Sequence, residues 1–428
     1  MPPTYTVFGR ADQNASPARN APVIQIGMVD TSAGQAPVEP PRPAAAARAP
    51  SAAGSSRLAV VDWLRGFATL LMIQTHLFDA WVSPAGKTTA SYHWTRFLGG
   101  IPSRLFLMLV GVSMALRFES LLAKGVTRRR AYIAAVQRRG LEILGLAYLF
   151  RLQEYVLGHM SRSIADLPAY WRDLLRIDIL NCIGMSMVLV PYVAAPVRGR
   201  PAWRPILVAA AIVIALGPVV GPAVFPSWIP VWLSSYVGGQ RPHAWFPLFP
   251  WAAWSLLGVA IGHVWVRAGR DPRREKWTFI ATGVIGMILI QTVQLIRNVD
   301  PTIIHYPSEL VQQMGPGSFF YRLGMNGVVA LLGWTVVHFS GRRFSAMQLF
   351  GRTSLLVYWI HIDLCYGLIA HRLGLFGRLG MPAATVGFVG MVLLMLAIAW
   401  LKTTWSSWSS PGSRGRRAAE LAGPVFPR

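Results

Sequence analysis

The stretch Arg57-Leu-Ala-Val-Val-Asp62-Trp-Leu-Arg65-Gly-Phe-Ala-Thr-Leu-Leu-Met72-Ile-Gln-Thr-His76 sets a carboxylate, a guanidinium and an imidazole in otherwise apolar sequence. The eleven-residue step from Arg65 to His76 is close to three helical turns, so both lie on one face, about 16 Å apart. Asp62, at i−3, joins that face beside Arg65. A guanidinium is a fixed fork of donors suited to phosphate. An imidazole titrates near neutrality and can take the proton of an attacking hydroxyl or amine. A coenzyme A thioester held by its phosphates near Arg65 would present its acyl carbon near His76, since the separation is comparable with the reach of a pantetheine arm. The alternative for this helix is that Arg65 snorkels to the headgroups, Asp62 pairs with it and His76 is an interfacial residue.

Further residues bear on that chemistry. His361 lies about three turns beyond Gly351, at a depth similar to that of His76, so the two imidazoles are expected to converge. Asp79 follows His76 at i+3, where it would either orient the ring, as carboxylates orient catalytic imidazoles elsewhere, or equally stand as a waterside carboxylate at the helix end. Asp363, two residues after His361, points away from that face. Asp178 and Asn181 form an i, i+3 pair suited to sugar hydroxyls or to an oxyanion, or equally to a clasp between helices. Arg104 would serve an anionic acceptor. No metal-ligand spacing, Gly-x-x-x-x-Gly-Lys loop or Gly-x-Ser-x-Gly elbow occurs, and no metal is expected.

The elements that must position these groups are membrane helices. The 428 residues are 53% hydrophobic and 14% charged, against roughly a quarter charged in soluble domains, which makes lipid the solvent. Apolar stretches able to cross a hydrocarbon core recur near 59–82, 97–117, 135–157, 177–195, 204–224, 246–267, 277–296, 319–339, 349–370 and 382–402, predicting an all-α polytopic protein of about ten transmembrane helices. The third is interrupted by Arg138, Arg139, Glu142, Arg151 and Glu154 and is expected to be an interior helix. Lys124 with Arg128 to Arg130, then Arg198, Arg200 and Arg204, Arg267 to Lys276, Arg342 and Arg343, and Arg414 to Arg417 occupy alternate loops, which places both termini in the cytoplasm. The formal charge of +24 is thereby explained by orientation, without nucleic acid. Residues 1–56, rich in Ala, Pro, Ser and Gly, are expected to be a disordered cytoplasmic tail without a conventional signal peptide. The membrane domain then spans 57–403, with a basic cytoplasmic tail over 404–428. Cys182 and Cys365 lie in apolar segments and define no disulfide framework.

Asp62-x-x-Arg65-Gly66, with ten residues between Arg65 and His76, resembles the first-helix signature of the acyltransferase-3 proteins. The continuation is similar to the heparan-alpha-glucosaminide N-acetyltransferase-like proteins: Pro102-Ser-Arg-Leu-Phe106-Leu-Met-Leu-Val-Gly111-Val-Ser113, Arg138-Arg-Gly-Leu, Asp178-Ile-Leu-Asn181-Cys-Ile-Gly184, and Pro247-Leu-Phe-Pro250-Trp251 leading to Leu257-Gly258. Gly351-Arg-Thr-Ser354-Leu-Leu-Val-Tyr358-Trp-Ile-His361 resembles a late helix of both. The resemblance implies a multi-pass protein of the cell inner membrane. Such a protein moves an acyl group, acetyl foremost, from cytoplasmic acyl-CoA to a hydroxyl or amine of a carbohydrate on the far side. On that reading His76, His361, His93 and Asp79 are the catalytic candidates, and Asp62, Arg65, Arg138 and Arg139 hold the acyl-CoA. Arg104, Asp178 and Asn181 then meet the acceptor. His93 enters because members of the second family place Asn where this chain has His76 and a catalytic His in the following loop. The expected partners are the bilayer and a glycan acceptor, with a homo-oligomer left open and no nucleic acid. The runner-up is a transporter or flippase for a small anionic or lipid-linked substrate, with Arg65, His76, Glu154 and His361 along its path. The absence of a visible internal repeat counts against it.

Overall fold

The computed structural model describes residues 52–160, 174–197, 199–239, 244–299, 313–340 and 345–409. These are 83% helical and contain no strand. The helices are α1 (Ala52–Trp81), α2 (Ala90–Leu98), α3 (Ile101–Ala123), α4 (Arg129–Met160), α5 (Ile179–Ala194), α6 (Trp203–Val220) and α7 (Val231–Val237), followed by α8 (Leu248–Ala268), α9 (Pro272–Val299), α10 (Pro316–Ser340), α11 (Ala346–Tyr366), α12 (Leu368–Arg372) and α13 (Met381–Ser409). Each of the expected spans coincides with a helix. Seven of the described helical stretches are long and apolar enough to cross a bilayer, fewer than the expected ten. α1 and α4 are not among the seven, and α5 (Ile179–Ala194) is apolar but shorter. The remainder of both tails, with Arg198, Arg342, Arg343 and Arg414 to Arg417, lies outside the described residues.

Successive long helices alternate in direction, so their ends gather at two faces of the bundle. At the basic end Arg270 pairs with Glu119 at 2.9 Å and Arg129 donates to the Tyr192 carbonyl at 2.5 Å. At the far end the Ser83 amide donates to Leu379 O at 2.9 Å, and the Trp245 amide donates to Ile177 O at 3.2 Å. Outward side chains such as Val284, Ile285, Ile288, Val386 and Leu393 stay exposed, as expected where lipid tails are the neighbours.

Inside a bilayer there is little hydrophobic drive between helices, so backbone proximity and close packing hold the bundle. α1 and α11 show this most plainly. A Cβ added at Gly66 would stand 1.7 Å from the Met347 carbonyl oxygen, and one at Gly351 would stand 1.9 Å from that of Asp62. α3 and α8 meet in the same way, with a Cβ on Gly258 falling 2.1 Å from Met108 O.

The expectation of an interior α4 is corrected. Tyr132, Val136, Ala147, Phe150 and Arg151 are buried on one face, but Leu141, Leu149 and Leu152 are exposed on the other. α4 lies at the periphery because its ionic residues divide: Arg151 is turned inward and paired, whereas Arg138 and Arg139 are exposed at the basic-end half of the helix.

Candidate functional site

α1 and α11 run parallel from their glycine contact, and each carries a histidine ten residues beyond its glycine: Gly66 to His76 and Gly351 to His361. Equal steps of about 15 Å along two touching helices bring the side chains to one level. The imidazole centroids are 5.4 Å apart with ring planes at 52°. The expected convergence is therefore present.

Hydrogen bonds set the state of each ring. Tyr366 donates its hydroxyl proton to Asp79 Oδ2 at 2.9 Å, and its oxygen lies 3.3 Å from His76 Nδ1. With the phenolic proton committed to the carboxylate, the oxygen accepts from Nδ1–H, which leaves His76 Nε2 as the lone-pair nitrogen. Asp79 thus reaches His76 through Tyr366 rather than directly. His361 is fully buried. Its Nδ1 lies 2.7 Å from the Val357 carbonyl and donates to it. Its Nε2 is buried with no hydrogen-bond partner. A buried acceptor without a donor is costly, and a ligand hydroxyl or amine would satisfy it.

Beside the pair stands an ionic network. Arg151, only 5% exposed, bridges Glu154 at 2.6 Å and Asp178, and Arg176 also contacts Glu154 at 3.0 Å and Asp178 at 3.7 Å. Asn181 is buried. Its side-chain oxygen accepts from the Asp178 amide at 3.2 Å and caps α5, while its Nδ2 faces Tyr236 Oη at 3.5 Å. Both candidate acceptor-binding residues therefore carry structural partners. Gln153 accepts from Trp359 Nε1 at 2.7 Å and donates to Asp363, in keeping with Asp363 pointing away from the His361 face.

At the basic end Arg65 donates to Ser113 Oγ at 2.6 Å and lies 3.6 Å from Asp62. Asp62 is shared with Arg352 at 3.3 Å. The Arg352 side chain is 64% exposed, so its guanidinium retains donors for an incoming anion. Between the two ends, on the same face of α1, Thr69 is buried and donates to Arg65 O at 2.9 Å, and Met72 is 5% exposed. Met72 packs in an apolar cluster with Ala147, Phe150, Leu180, Tyr358 and Ile362. The face is polar at both ends and closed in the middle by this apolar cluster, of which Met72 is the flexible member.

Other expected residues lie apart from the histidines. His93 is exposed on α2. Arg138 and Arg139 pair with Glu142 at 3.4 and 2.8 Å on the exposed side of α4. Arg104 turns toward α8, with its guanidinium 5.0 Å from the Trp251 ring centre. Sequence reasoning passed over Tyr366, Arg352, Ser113 and Arg176. Of these Ser113 and Arg352 carried a signal, as members of the motifs that begin at Pro102 and Gly351.

The fold and site define a multi-pass α-helical membrane protein with a half-buried His76 facing a fully buried His361. A family model described as heparan-alpha-glucosaminide N-acetyltransferase, catalytic, matches residues 57–291, more than half of the chain, and the chain belongs to that family. It is thereby a membrane transferase of the acetyltransferase class. The match contains Asp62, Arg65, His76 and Asp178, while Arg352, His361 and Tyr366 lie beyond it. No curated protein matches the chain.

Proposed function

We propose that this chain is an inner-membrane acyltransferase. It takes an acyl group, acetyl foremost, from acyl-CoA at a cytoplasmic basic end and places it on a hydroxyl or amine of a carbohydrate at the far side. The observation that carries the reading is the His76–His361 pair: one ring with its tautomer set through Tyr366 and Asp79, the other with a buried nitrogen lacking a donor.

In the proposed reaction Arg352 and Arg65 receive the anionic end of acyl-CoA, and the pantetheine arm passes Met72 along the α1 face. A hydroxyl beside the attacking group donates to His361 Nε2 and positions the acceptor, and the attacking hydroxyl or amine gives its proton to His76 Nε2 as its oxygen or nitrogen attacks the thioester carbonyl. The tetrahedral intermediate then collapses, the carbon–sulfur bond breaks, and the thiolate of coenzyme A leaves with the proton held on His76 Nε2, which restores the neutral imidazole. Asp79, through Tyr366, stabilises the imidazolium formed on His76, as the carboxylate does in a serine-protease triad.

Purified protein in liposomes, given labelled acetyl-CoA and a glucosaminide, should release coenzyme A only when the acceptor is present and should label the sugar. Accumulation of the sugar inside the vesicles with no coenzyme A released would support transport instead. Release of coenzyme A in a burst before acceptor is added would replace direct transfer by an acyl-histidine route.

A further inference from the structure

Two arginines and an unpartnered indole N–H gather at the far end, where α2, α3, α8 and α10 meet. Arg104 donates through Nη1 to Gly100 O at 2.6 Å. The Arg322 guanidinium crowds the same glycine, for a Cβ placed there would meet its Cζ and Nη1 at 2.7 Å. Arg322 Nη1 donates to Phe97 O at 2.9 Å. Two guanidinium groups therefore flank one glycine, and among the described residues neither meets a carboxylate.

Like charges held this close repel, and more strongly where water is excluded. Aromatic faces offset part of the cost: Arg104 over Trp251 at 5.0 Å and Arg322 over Phe97 at 4.9 Å. Face contacts leave the edge N–H groups unspent. Two neighbours are unspent too. Trp251 Nε1 is a buried donor without a partner, and Asn326, fully buried one turn from Arg322 on the same helix face, has no partner for either side-chain atom. A cluster dominated by donors with paired positive charge calls for an anion.

We propose that Arg104, Arg322 and Trp251 form a binding site for one phosphate-class oxyanion, either free or carried on a lipid headgroup. The site stands apart from the reaction at the histidine pair: among the described residues no hydrogen bond or ion pair joins Arg104, Arg322 or Trp251 to His76 or His361.

The test is thermal unfolding of the purified protein in maltoside micelles. One arm adds inorganic phosphate against chloride at matched ionic strength, and the other adds phosphatidylglycerol against phosphatidylcholine. A saturable rise in Tm in the phosphate arm identifies a free oxyanion, and a rise confined to phosphatidylglycerol identifies the headgroup; either supports the site. Arg104→Gln and Arg322→Gln should each weaken half-saturation by at least about tenfold, the value of one charge-assisted hydrogen bond. Trp251→Phe keeps the aromatic face, so it remains informative if the arginine variants fail to fold, and it should weaken half-saturation several-fold. No response in either arm, or unchanged half-saturation in Trp251→Phe and in whichever arginine variant folds, overturns the proposal.

Discussion

His76 and His361 lie 285 positions apart in the sequence, yet their rings face each other at 5.4 Å. The relationship follows from two glycines. Gly66 and Gly351 bring α1 and α11 into backbone contact, and equal ten-residue steps from that contact put both imidazoles at one depth.

That geometry makes the glycine contact a stability element of the site. Gly66→Ala or Gly351→Ala places a methyl group within 2 Å of backbone oxygen, and backbone cannot swing aside as a side chain can. Each should cost at least about 1–3 kcal/mol, the usual range for overpacking, read as a lower Tm. Gly145, where an added Cβ meets nothing within 4 Å, is the control, and Gly145→Ala should leave Tm within a degree or two.

Tyr366 is expected to act through His76 rather than on the substrate. Tyr366→Phe removes the hydroxyl that joins Asp79 to the imidazole and should lower kcat by roughly 10–100-fold, with little change in the KM for acetyl-CoA. Asp79→Asn should have a similar effect. Because both act along one chain of hydrogen bonds, the double variant should lose little more than either single one. Additive losses would separate the two residues.

His361→Phe should chiefly weaken use of the acceptor. Phenylalanine fills the buried volume but removes the nitrogen offered to an acceptor hydroxyl or amine, so kcat/KM for the sugar should fall by about 10²-fold or more. The KM for acetyl-CoA should stay near the wild-type value.

Arg352 and Arg65 make the opposite prediction. Arg352→Ala should raise the KM for acetyl-CoA, about tenfold for one lost charge-assisted contact, and the increase should shrink at high salt, since this side chain is exposed. Arg65→Lys should also impair binding, because an ammonium cannot reproduce the fork that now serves Ser113 and Asp62. Isothermal titration with desulfo-coenzyme A would measure both.

The helical period made one face of α1 legible: Asp62, Arg65 and His76 could be placed together before any partner helix was known. The depth of His361 followed from counting along α11. What local sequence could not reveal was which helix lies across from which. Tyr366 and Arg352 bear on α1 only because α11 packs on it. Arg322 reaches Gly100 across more than two hundred residues. The position of α4 is not legible from its charged residues because they divide between two environments. Arg151 is inward and paired, but Arg138 and Arg139 sit at an exposed end where charge is tolerated. Met72 looked like an ordinary apolar residue of α1, and its place between the two polar ends emerged only once Phe150 and Tyr358 were seen against it.

Acceptor-dependent release of coenzyme A by His76→Ala, compared with the wild type in the same liposomes, bears most directly on the mechanism. Loss of release by about 10²–10⁴-fold, the span of a general base, with Tm and acetyl-CoA binding preserved, is the expected result. Wild-type release from a folded His76→Ala protein would remove this imidazole from the reaction and with it the proposed path of the proton.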